Sequence, residues 1–93
     1  MKTIDISKLT KEKIESLSGQ LKLKGAAKKP LDEMNCLDKY ELVCIAVRDN
    51  SKLIGNEQVS GLLRLLRSEC YAGGYTEEDL NRIAIDVNSE VIH

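Results

Sequence analysis

CYAGGYTEEDL, residues 70–80, decides how the second half of this 93-residue chain is built. The pair Gly73-Gly74 separates a leucine-rich run from an acidic one. A phosphate-cradling loop leads from a strand into a helix, with a lysine and a Ser/Thr at fixed positions. Here helical periodicity precedes the glycines, and Glu77, Glu78 and Asp79 follow them. Those carboxylates complement the positive end of a helix and would repel phosphate. The pair therefore reads as a hinge: Gly73 or Gly74 supplies the positive φ that ends a helix near Ala72, and Thr76 caps the next one.

The same start grammar recurs upstream. LTKEKI places Thr10 at an N-cap, LDKYEL places Asp38 there with Glu41 three residues on, and YTEEDL repeats it with Thr76 and Asp79. In each, a short oxygen-bearing side chain accepts from the unpaired amides of the first turn, and flanking apolar residues close over it. Asn56 in GNEQV is a fourth, less regular start.

These signals predict helices at about 10–23, 38–49, 56–72 and 76–91. The first carries Ile14, Leu17 and Leu21 and is weakened by Gly19. The second is apolar on nearly every side, which marks a central, buried helix, although its β-branched content keeps a strand open. The third places Val59, Leu62, Leu63, Leu66 and Cys70 on one face, and the fourth places Leu80, Ile83, Ala84, Val87 and Val91. The expected fold is one all-α domain, residues 1–93. It comprises four helices, an extended arm at 1–9 whose TIDIS segment has strand alternation, and a linker at 24–36 containing Pro30. The third and fourth helices are expected to form an antiparallel hairpin.

Composition narrows the function. The chain is 42% apolar yet has only three aromatics, Tyr40, Tyr71 and Tyr75, so stacking platforms for single-stranded nucleic acid are not expected. No apolar run is long enough to span a membrane, and the N-terminus lacks the pattern of a secretory signal, so a cytoplasmic location is expected. The odd cysteine count, without a CxxC pair, points to reduced packing residues. Net charge is −1, but residues 1–29 hold eight lysines against three acids, whereas residues 30–93 hold six basic and twelve acidic groups. A lysine-rich segment lying on an acidic body explains this, as does a basic arm for nucleic acid beside an acidic face for a protein.

No catalytic constellation emerges. The sole histidine is the terminal His93, and no GxSxG, HExxH or paired-cysteine motif occurs. Cys36, Cys44, Cys70 and His93 would make four zinc ligands by count, but their spacing is irregular, and Glu77, Glu78 and Asp79 are ordinary dipole complement. No enzyme activity, metal or cofactor is expected.

The most suggestive surface is the back of the third helix, where Ser60, Arg64, Arg67 and Tyr71 share one side. That face is either simply solvated or a recognition surface, since arginine and tyrosine are over-represented where partners dock. NEQVSGLLRLLR, residues 56–67, resembles the recognition helix of helix-turn-helix and winged-helix DNA-binding proteins over those twelve residues. It departs from them in placing Gly61 and Arg64 where buried aliphatics belong and in being followed by a helix, not a β wing. No family assignment follows. The expected function is that of a small protein-binding module, an adaptor, inhibitor or regulatory factor. The alternative is a DNA-binding regulator using the third helix and the lysine-rich segment. A homodimer is expected through Ile85 and Ile92, which lie about 120–140° around the fourth helix from Leu80.

Overall fold

The computed structural model describes residues 5–21 and 30–89. Among the described residues all regular structure is helical: α1 (Ile6–Ser16), α2 (Ser18–Leu21), α3 (Cys36–Asp49), α4 (Glu57–Ala72) and α5 (Glu77–Ser89). Short 3-10 turns at Leu31–Glu33 and Ser51–Leu53 frame α3. No helix among the described residues is long and apolar enough to cross a membrane. The all-α expectation is met, and the strand alternative for the second helix is excluded.

Two starts differ from the sequence reading. α1 begins at Ile6, not at Thr10, because the Asp5 carboxylate accepts from the Ser7 and Lys8 amides at 3.1 and 3.3 Å. The segment 1–9 is therefore helical from residue 6 onward, and residues 1–4 lie outside the described part. The first helix also ends early: the helix is interrupted at Leu17, and α2 resumes at Ser18 beside Gly19, a pair of poor helix formers. α3 begins at Cys36, because Asn35 is its N-cap. Asn35 Oδ1 accepts from the Asp38 amide at 2.8 Å, and Asp38 Oδ2 accepts from the Asn35 amide at 3.3 Å. Asp38 is thus the third-position partner of a capping box. Asn56 and Thr76 cap as expected, Asn56 Oδ1 accepting from the Gln58 and Val59 amides and Thr76 pairing reciprocally with Asp79.

α4 ends in a Schellman motif. The Tyr75 amide reaches back to the Cys70 carbonyl at 3.0 Å and the Gly74 amide to the Tyr71 carbonyl at 3.1 Å. Gly74, at φ +94°, carries the positive φ, whereas Gly73 is at −83°.

α3 is the central helix: α5, α4 and α2 all pack on it, and α1 packs on α4. Its Tyr40, Leu42, Val43 and Ala46 join Ile14, Leu21, Leu62, Leu66 and Leu80 in the core. The expected α4–α5 hairpin does not form. α5 lies along α3 and shares little with α4 beyond their connecting turn. Two contacts explain this: Leu80 and Val87 are buried, and the Arg48 guanidinium of α3 donates to the Val87 carbonyl at 3.0 Å. That carbonyl is in the last turn of α5, where a cation both satisfies an orphan acceptor and complements the helix dipole.

A polar cluster crosses the interior. Lys39, 1% exposed, sits on α3 facing Thr10 and Ser7 of α1 and Glu69 of α4. Its ammonium donates to the Thr10 hydroxyl at 2.7 Å, the Ser7 carbonyl at 3.1 Å and the Glu69 carboxylate at 3.1 Å. The Ser7 hydroxyl is a further, longer contact at 3.4 Å, so each of the three protons has an acceptor, and among the described residues no buried side-chain polar atom lacks a partner. Thr10 is thus an interior bridge and not a cap.

Candidate functional site

Because α4 and α5 both rest on α3 but diverge after Gly74, an apolar groove opens between them. It encloses about 560 Å³. Tyr40, Cys44 and Val47 of α3 line it, with Leu63 on the α4 side and Ala84, Val87 and Asn88 on the α5 side. Arg48, Ser51 and Ile54 complete the lining. Ile54, in the turn before α4, is 71% exposed.

The α4 lip is the face singled out from sequence. Ser60 is half-buried, Arg64 and Arg67 are exposed, and Tyr71 is 47% exposed. At 100° per residue these four lie about 40–100° beyond Leu63 around α4; none of them lines the groove itself, and Arg67 is joined to it through Tyr40. The Arg67 guanidinium lies beside the phenol of Tyr40. Burial pushes the Tyr40 pKa up, and the neighbouring guanidinium works against that rise. Burial likewise pushes the Cys44 thiol up to about 11 and, helped by its neighbour Cys36, the Cys70 thiol to about 12. Both are neutral thiols at physiological pH and weak nucleophiles.

The remaining sequence candidates do not converge. Cys36 and Cys70 share the core, Cys44 lines the groove, and His93 lies outside the described residues. Ile85 is 63% exposed beside a shallow depression formed with Glu78, Asn81 and Arg82, while Ile92 is also outside the described residues. In the basic N-terminal segment, Lys11 of α1 pairs with Asp32, which raises the lysine pKa. One lysine of that segment therefore does lie on the acidic body of its own chain.

Sequence reasoning missed Cys44, Val47, Asn88 and Ile54. The second helix is apolar nearly all round, so its pattern does not tell which face stays uncovered. The only signal was Leu63, the one leucine of the third helix displaced toward the arginine side. No protein-family model, curated protein or solved structure matches this chain.

Proposed function

We propose that this chain is a non-enzymatic protein-binding module, an adaptor, inhibitor or regulatory factor working in the cytoplasm, and that the α4–α5 groove is its binding site. The observation carrying this is the meeting of two features: an apolar groove floored by Tyr40, Cys44 and Val47, and Arg67 beside its Tyr40 wall, with exposed Arg64 and Tyr71 on the same face of α4. An apolar centre with an arginine- and tyrosine-bearing margin is the composition of interfaces where a few residues dominate binding. Neutral Cys44 and Cys70 thiols support a binding role over a nucleophilic one, and the three free cysteines support a reducing compartment.

A DNA-binding role is less favoured by the geometry. The Thr10–Glu69 bond of 2.7 Å holds α1 against the Glu69 side of α4. Arg64 and Arg67 point about 140–160° away from Glu69 around that helix. The lysines of α1 and the arginines of α4 thus do not form one basic surface.

The test is affinity purification from the native host with the wild type, Leu63→Glu and the pair Arg64→Ala with Arg67→Ala. A protein retained by the wild type and released by both groove variants, with helical circular dichroism unchanged, is the expected outcome. An identical set retained by all three would remove the groove from consideration. Steeply salt-dependent binding to random duplex DNA would favour the regulator instead.

Self-association belongs to the same proposal. Exposed Ile85 on α5 supports it, and a two-fold dimer is the commonest arrangement that buries such a residue.

A further inference from the structure

The charge around the groove limits what fits it. Its α4 lip carries Arg64 and Arg67 in the middle, with Glu57 and Glu77 near the two ends, where the helix starts and where Glu77 faces Arg67 across the turn. The α5 margin offers the uncharged Asn88, while Asn81 belongs to the separate depression it shares with Glu78, Arg82 and Ile85. One edge is therefore cationic at its centre and the other is uncharged at Asn88, above a floor that is largely apolar apart from Arg48, whose guanidinium is held by Asp49 and the Val87 carbonyl.

From this we infer that the groove takes an amphipathic helix of a partner protein, lying with its apolar ridge on Tyr40, Cys44, Val47 and Leu63 and with carboxylates along the edge that faces α4. The inference rests on the protein-binding reading and gives the partner's chemistry. Arg64 and Arg67 are three residues apart, so their stems stand about 5–6 Å from one another. Two carboxylates on successive turns of an opposing helix have the same spacing, and guanidinium forks pair with carboxylates in a planar, two-pronged geometry. Arg67 is already steadied by Tyr40, so less side-chain freedom is lost on pairing. From Ser60 to Tyr71 the lip runs about 16 Å, or three helical turns, enough for apolar residues at i, i+3 or i+4, and i+7.

The partner's acidic edge is tested with three fluorescein-labelled helical peptides that share one leucine ridge. Their flanking edge carries paired Glu, Gln or Lys. By fluorescence anisotropy the Glu peptide is expected to bind at least tenfold more tightly than the Gln peptide, with the Lys peptide weakest. Exchanging Arg64→Glu and Arg67→Glu should reverse that order, and Leu63→Glu should weaken all three. Alkylation of Cys44 gives a second readout that needs no variant: the Glu peptide should slow it at saturation. If the three peptides bind alike and all protect Cys44, the acidic edge is wrong while the groove remains a protein site. Binding of none of them overturns the inference. If duplex DNA then binds with a steep salt dependence, the protein-binding reading falls too. If instead the chain alone sediments as a dimer with Cys44 protected, the occupant is a second copy.

Discussion

Lys39 Nζ lies 3.0 Å from Glu69 Oε1 and joins the central helix to α4 through the interior of the protein. The lysine side chain is 2% exposed and the carboxylate partner 13%. With Thr10 between them, the pair also ties α1 to both helices. A buried pair is weak as a source of stability, since desolvating two ions offsets most of their attraction, but it is costly to break from one side.

Lys39→Met is therefore expected to destabilise the fold by about 3–5 kcal/mol, because it leaves the Glu69 carboxylate without its cation. Adding Glu69→Leu should recover most of the loss, since Thr10 keeps the Ser7 carbonyl, 2.9 Å away, as its acceptor. Urea unfolding of the two single variants and the double variant checks this. Additive losses would show that the two groups act independently.

How far the sequence revealed this molecule depended on how local each determinant was. Asn56, Thr76 and the glycine hinge were legible because their partners lie within a few residues. Thr10 was misread as a cap because Ser, Thr or Asp before an apolar run fits the cap pattern wherever it occurs. What decides its role is Glu69, 59 residues away. Asp38 was placed in the right motif but in the wrong half of it. The Ser60, Arg64, Arg67 and Tyr71 face followed from helical periodicity alone. The groove beside it did not, because it exists only where α5 leaves α4 to lie on α3, and no single helix encodes that divergence.

Gly74 and Gly73 offer a paired test of the hinge. Gly74→Ala forces an L-residue into left-handed backbone at φ +94° and should cost ~1–2 kcal/mol. Gly73 has ordinary φ, and an added Cβ would meet the Cys70 and Glu69 carbonyl oxygens at 3.5 Å, a normal contact. Gly73→Ala should change stability by less than about 0.5 kcal/mol. Thermal denaturation of both variants decides, and equal effects would mean that backbone sign is not what shapes the turn.

Stability should fall as pH rises through the thiol range. Burial lifts Cys44 to about 11 and Cys70 to about 12, against about 8.5 in an unfolded chain. Below the unfolded value both states hold their protons and nothing is lost. Above it the unfolded chain releases protons that the folded chain keeps, so it binds fewer, and unfolding becomes easier with each step in pH. The loss continues until pH passes the folded values. Urea midpoints under reducing conditions at pH 7, 9 and 10 should decline more steeply for the wild type than for Cys44→Ala. Parallel profiles would exclude Cys44 as a contributor.

Self-association gives the last prediction. Ile85 is 63% exposed, and it lies on α5 beyond the Asn88 margin of the groove, in the depression it shares with Asn81. A single exposed isoleucine is common on monomers and by itself demands nothing. Its position matters more, because it stands outside the groove and can be covered without filling the peptide site. Sedimentation equilibrium should therefore show a dimer that Ile85→Glu dissociates, while the Glu peptide binds wild type and variant alike. A single species near the 10.4 kDa chain mass would rule out the dimer. Loss of peptide binding in Ile85→Glu would instead show that the isoleucine belongs to the groove, making dimer and peptide competitors for one surface.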